Sequence, residues 1–108
     1  MRLLASILSC AVLFWPGLCG TAAAADPEQG RAIALRWCAG CHGVPGAKPQ
    51  SDQAPSFQDI ASRRSPAEVR AFLFEPRHPM PPLRLSNGDI DAVTAFIVGL
   101  RPTVAPKP

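Results

Sequence analysis

A run of five residues, Cys38-Ala39-Gly40-Cys41-His42, sets the limits on what this 108-residue chain can be. A chain of that length forms one domain. Two thiols separated by two residues, with an imidazole directly after the second, serve a small set of chemistries, and the rest of the sequence decides among them. A redox dithiol of the thioredoxin kind sits in a βαβ setting. Here no stretch alternates apolar and polar residues for long enough to make a sheet. A lone structural disulfide leaves His42 without a role. A zinc site needs four ligands, yet beyond residue 25 the cysteine and histidine donors are only Cys38, Cys41, His42 and His78. A cysteine adjacent to a histidine is also not the usual zinc spacing.

What remains is C-x-x-C-H as the attachment sequence of a c-type haem. The two thiols lie close enough to add across two vinyl groups of one porphyrin as thioethers, and the histidine is thereby held under the iron as its proximal ligand. Small residues at Ala39 and Gly40 let the backbone bend tightly against the ring. The expected cofactor is one haem c per chain, covalent through Cys38 and Cys41.

The other two cysteines, Cys10 and Cys19, belong to a different kind of segment. Arg2 precedes a nearly uncharged run from Leu3 to Leu18, and Ala23 and Ala25 match the A-x-A rule ahead of Asp26, the pattern of a cleaved export signal. The apolar stretch from Leu3 to Trp15 is shorter than the roughly 20 residues that span a bilayer, and Pro16-Gly17 interrupts it. Lipid attachment at Cys19 is disfavoured because Leu18, not a small residue, stands directly ahead of it. Residues 1–25 are therefore read as a signal peptide, 26–102 as the folded domain and 103–108 as a disordered Pro-rich tail, with the periplasm as the location.

Cleavage leaves 83 residues, of which 33 are apolar, and 11 of those are alanine, so the core is thin. Chains of this size bury too little surface to be robust without a staple, which predicts that a large bound group completes the interior. The remaining ten Lys plus Arg against eight Asp plus Glu form no dense basic stripe, and nucleic acid is not expected as a partner. Arg63, Arg64, Arg70, Arg77 and Arg84 fall mid-chain and read either as a positive patch facing an acidic partner or as scattered solvated residues.

Helix start and stop signals recur, which points to an all-α fold. Asp26-Pro27-Glu28-Gln29 opens a first helix, with Asp as N-cap, Pro at the first position and Gln three residues on as a variant capping box. It is expected to end near Cys38, with Gly30, Ile33, Ala34, Trp37, Cys38 and Cys41 on one face. Residues 43–53 read as a surface loop. Ser56 and Ser65, each followed three residues later by an acid, start short helices near 57–63 and 66–75, the second with Val69, Phe72 and Leu73 as a narrow apolar face. The segment from Pro76 to Pro82 carries four prolines and is expected to be a stiff, extended loop. A last helix starts at Ser86 and presents Ile90, Val93, Phe96, Ile97 and Leu100, with Arg101 in its final turn.

A six-coordinate haem needs a second axial donor. Beyond residue 25 there is a single methionine, Met80, between Pro79 and Pro81. A thioether is a weak, soft ligand that needs a preorganised loop, and the prolines supply one. His78 is the rival donor, because residues i and i+2 of an extended segment point the same way.

In its order of pieces the stretch from about Pro27 to Leu100 resembles the class I c-type cytochromes of the small bacterial periplasmic kind. The pieces are the helix ending in Cys38-x-x-Cys41-His42, the segment Ala54-Pro55-Ser56-Phe57-Gln58-Asp59-Ile60-Ala61, Met80-Pro81-Pro82, and a terminal helix with Ala95-Phe96-Ile97. The resemblance implies about four short helices around one covalent haem, with the first and last crossing near Gly30 and Phe96. It also implies that the Pro55 carbonyl accepts a hydrogen bond from His42. The chain departs from the family at Ala34, where an aromatic is common, and in lacking a Trp or Tyr near Met80; Arg77 or His78 would then meet a propionate.

The function expected is a periplasmic one-electron carrier with His42 and Met80 on the metal, acting as a monomer on a transient redox-protein donor and acceptor. It would have no small-molecule substrate, and would meet a membrane only through a partner or an uncleaved signal. The alternatives are a haem-bearing subunit of a periplasmic dehydrogenase or oxidase and a gas-binding haem sensor. An enzyme fits least, since no general base, nucleophile pair or second cofactor motif is visible.

Overall fold

A computed structural model describes residues 24–103 and Gly17; Cys10, Cys19, most of the expected export signal and residues 104–108 of the tail lie outside the described residues. Four helices form the described part: α1 (Pro27–Trp37), α2 (Phe57–Arg63), α3 (Pro66–Phe74) and α4 (Asn87–Val98). The all-α expectation holds. Among the described residues the only extended pairing is an isolated parallel bridge between His42 and Ala54.

Local chemistry sets each helix start. The Asp26 carboxylate accepts from the Glu28 N–H at 2.9 Å, and Pro27 occupies the first turn, where its missing donor costs nothing. Gln29 does not reach back to complete a capping box; its Nε2 donates to Asp89 Oδ1 on α4 at 3.3 Å. Ser65 with Glu68, and Ser86 with Asp89, form full reciprocal capping boxes. Each box draws its acid below the ordinary carboxylate value: Glu68 chiefly through the Ser65 N–H, Asp89 chiefly through the Ser86 hydroxyl.

The largest helix contact is α1 against α4. Gly30 is buried there, and a Cβ at that position would stand 2.0 Å from the Ala92 carbonyl oxygen and 2.9 Å from the Val93 nitrogen. Only glycine lets the two backbones approach so closely. The closest approach is thus at Ala92 and Val93, about one turn before Phe96. Ala34, Val44, Phe57, Ala61, Val93, Phe96 and Ile97 continue the core from this crossing, and the Phe57 and Phe96 rings meet edge-on at 6.1 Å.

Two longer-range contacts tie the short helices down. Arg70 on α3 pairs with Asp91 on α4 at 2.7 Å. Arg101 lies past the end of α4 rather than in its last turn, and its guanidinium donates to the Ala61 carbonyl at 2.7 Å and to the Arg64 carbonyl. These are terminal acceptors of α2, groups that a helix of seven residues leaves unsatisfied.

Candidate haem site

The C-x-x-C-H run is held from both sides. Upstream, Cys38 caps α1, and the N–H groups of Cys41 and His42 donate to the Cys38 carbonyl at 3.1 and 2.9 Å, turning the chain sharply after the helix. Downstream, Ala54 N–H donates to the Cys41 carbonyl at 2.8 Å and Phe57 N–H to the Gly43 carbonyl at 2.9 Å. These two bonds close the neck of the 43–55 loop. Inside it Gln50 donates to the Val44 and Ala47 carbonyls. Val44 is wholly buried, so one residue of the expected surface loop serves the core instead.

The neck brings Pro55 to His42. His42 Nδ1 lies 2.6 Å from the Pro55 carbonyl oxygen. A carbonyl only accepts, so Nδ1 carries the proton and donates, which leaves the Nε2 lone pair available to a metal. The imidazole also rests against Phe57, ring centroids 5.5 Å apart.

The two thiols differ in setting. Both are free; Cys38 is buried and Cys41 exposed. Burial pushes the Cys38 thiol up to about 11, so it is protonated at neutral pH. Ala39 packs against the core. Gly40 has no atom within 4 Å of where a Cβ would stand, so no protein contact requires glycine there.

Cys38, Cys41 and His42 open into a cleft of about 1230 Å³, larger than the roughly 300–1,000 Å³ of ordinary ligand pockets. Pro55, Phe57 and Ile60 line it on one side, Val69, Phe72 and Leu73 of α3 on another, and His78, Pro79 and Met80 on a third. Phe72 is 41% exposed even though it belongs to the expected apolar face of α3. An apolar wall left open over a volume this large fits a flat, apolar ring better than a hydrated substrate. The donors beside it, two thiols, an imidazole with a free Nε2 and a thioether, are those that hold a haem. Among the described residues no group of three or more His, Cys, Asp or Glu is arranged to hold a bare metal ion.

The 76–82 segment is not extended throughout. Met80 N–H donates to the Arg77 carbonyl at 3.0 Å, closing a turn that separates His78 from Met80. Met80 is half-buried and packed on the core, whereas His78 is exposed. The equivalence of i and i+2 therefore fails here, and it failed because the sequence pattern gives no sign of the turn. Arg77 is exposed and also lines the cleft. The mid-chain arginines are largely committed: Arg63 pairs with Asp59, Arg64 with Glu68 and Arg70 with Asp91. Trp37, expected on the buried face of α1, is 58% exposed at the cleft rim.

No helix among the described residues is long and apolar enough to cross a membrane. The family model described as cytochrome c oxidase, cbb3-type, subunit III matches residues 25–97. Cytochrome c-552 of Bradyrhizobium diazoefficiens is 38% identical over 96 residues, which cover 86% of this chain and 92% of that protein. No solved structure matches at comparable stringency. With the attachment motif, the four-helix frame and these two matches in agreement, the chain belongs to the c-type cytochromes, haem-bearing electron carriers whose haem c is bound covalently.

Proposed function

We propose that this cytochrome is a periplasmic one-electron carrier in which His42 and Met80 would hold the haem iron and Pro55 orients the imidazole. The observation that carries this reading is the cleft itself, which His42, His78 and Met80 all line, with Met80 half-buried against the core and His78 exposed. When bound, the haem supplies the reversible exchange of one electron between ferric and ferrous iron. The chain's own residues do the rest. Cys38 and Cys41 anchor the ring, and the Pro55 carbonyl fixes the tautomer of His42 and raises its donor strength. Phe57, Val69, Phe72 and Leu73 exclude water from the ring face, which favours the less charged ferrous state. Arg77 stands at the rim for a propionate. With His42 and Met80 both holding the haem, small molecules would have no ready route to the metal, and the chain would have no substrate of its own.

The test is a visible and near-infrared spectrum of the purified haem-containing protein with its Met80→Ala and His78→Ala variants. Met80→Ala is expected to lose the weak near-infrared sulfur-to-iron band and to lower the midpoint potential; His78→Ala is expected to keep both. Loss of the band in His78→Ala alone would overturn the ligand assignment. Arg77→Ala with an unchanged midpoint and pH dependence would remove Arg77 from the propionate role.

A second reading, a subunit retained in a larger oxidase, is favoured by the description of the matching family model. The relative that this chain nearly spans is a cytochrome under its own name, which supports the free carrier. Sedimentation of the native protein from its own compartment separates the two, since a carrier runs alone.

A further inference from the structure

Inside the neck of the 43–55 loop, one side chain joins the outgoing arm to the returning one. The outgoing arm is a turn: Ala47 N–H donates to the Val44 carbonyl at 3.0 Å, Pro45 takes the second position, and Gly46 takes the third with φ +94°. Proline followed by a residue with positive φ is the signature of a type II turn. The turn is backed on two sides, by Val44 buried in the core and by Arg31 of α1, whose Nη2 stands 2.9 Å from where a Gly46 Cβ would be. The returning arm has no such support. Among the described residues no backbone-to-backbone hydrogen bond involves residues 48–53. Gln50 supplies the missing tie: its Nε2 donates to the Val44 carbonyl at 2.6 Å and to the Ala47 carbonyl at 2.9 Å, spending both amide hydrogens on the two ends of the turn. The clamp sets the returning arm against Gly43, where a Cβ would stand 3.1 Å from Gln50 Oε1, 3.2 Å from Ser56 Cβ and 3.4 Å from the Ser51 carbonyl oxygen.

We propose that Gln50 is a positioning residue for His42: by clamping the returning arm to the turn it holds the Pro55 carbonyl on the imidazole N–H, and so sets the donor strength of that ring. The proposal rests on the axial role given to His42 above. Gly43 follows His42 directly and its carbonyl accepts from Phe57 N–H, while Ala54 N–H reaches Cys41; Pro55 lies between those two bonds. Having no N–H, Pro55 makes no backbone bond through its own nitrogen, and the direction of its carbonyl follows from the arm that carries it. The His42–Pro55 bond is 2.6 Å long, and hydrogen bonds weaken steeply as their angle departs from linear. A looser arm leaves the imidazole a poorer donor, which favours ferrous over ferric iron and raises the midpoint potential. Lys48 and Pro49 are exposed between the clamped ends and make none of these bonds.

The test takes the ferrous haem-containing protein with isotope-labelled histidine and reads the solvent exchange of the His42 Nδ1 proton by NMR, together with the midpoint potential. Gln50→Met keeps the stem and removes both donors. It is expected to speed the exchange about tenfold, the worth of one neutral hydrogen bond, and to raise the midpoint. Gln50→Glu, of the same shape but without an N–H, is expected to do the same, and both variants keep the near-infrared sulfur band because Met80 is untouched. Asp89→Asn, which loosens the start of α4, is the control for general loss of stability and is expected to move neither reading. Exchange and midpoint at wild-type values in either Gln50 variant would overturn the proposal, and so would an Asp89→Asn protein that shifts both as far. Wild-type His42 ring resonances without the large ring-current shift of a porphyrin ligand would instead sink the axial role of His42, on which the proposal stands.

Discussion

The two halves of the domain are finished differently. At the α1–α4 crossing protein atoms do all the packing: Gly30 meets the Ala92 and Val93 backbone with no room for a methyl group, and Ala34 and Val93 are wholly buried. Across the cleft, Phe72 of α3 and Met80 of the proline loop face a space that no side chain fills. One half is closed by sequence alone and the other requires the haem. A chain with so few large apolar residues cannot complete both, and the half that stays open is the half where chemistry is needed.

The strongest challenge to that contrast is removal of the haem's covalent anchors. Cys38→Ser/Cys41→Ser is expected to lose most of its far-ultraviolet helical signal, with the residual hydrogen-exchange protection confined to α1 and α4. Retention of full helicity without haem would abolish the distinction. Next in size is Gly30→Ala, which drives a Cβ into the Ala92 carbonyl and is expected to cost about 3 kcal/mol or more in denaturant unfolding of the haem-containing protein. Gly40→Ala, in the open half, is expected to stay within about 0.5 kcal/mol. Equal costs at the two glycines would mean that the crossing is no tighter than the motif.

Arg101→Met comes third. It strips the α2 terminal carbonyls of their donor and is expected to cost about 1–2 kcal/mol, read as a shift in urea midpoint with an unchanged slope. The smallest effect is on acid stability. Glu68 and Asp89 titrate below their ordinary values in the folded protein, so their contribution is present above the unfolded pKa and is lost as pH falls through the folded one. Asp89→Asn should lower stability modestly at neutral pH, where the carboxylate contributes, leave stability well below pH 3.8 little changed, and so flatten the acid limb, checked by urea titrations from neutral to acid pH. An unaltered acid limb would show that the α4 box does not titrate as its geometry implies.

What the sequence conveyed directly was the local part. The boxes Ser65/Glu68 and Ser86/Asp89 form between residues three apart, and Asp26 caps its own helix, so each is visible in a few letters. The haem motif is equally local. Contacts between distant residues were not legible: Gln29 leaving its own helix for Asp89, Arg101 crossing to α2, and Val44 buried from within a polar loop. One local feature also escaped, the turn that parts His78 from Met80, because prolines are equally at home in extended chain and in turns. Periodicity placed Trp37 inside because it counts faces of a helix and carries no information on which face runs out of neighbours. The expectation of Pro55 beside His42 came from family resemblance alone, since nothing in the spacing requires the 43–55 loop to return there.

That return has a practical side. Because two backbone bonds at the neck fix where the loop leaves and rejoins the motif, its outer arc is free to vary. Ring-closure entropy rises slowly with length, about 0.6 kcal/mol for each doubling. Exposed Lys48 and Pro49, midway round the loop and away from the cleft, therefore mark a point where a tether, such as a surface-binding peptide for immobilising the protein on an electrode, can be spliced in without disturbing the imidazole.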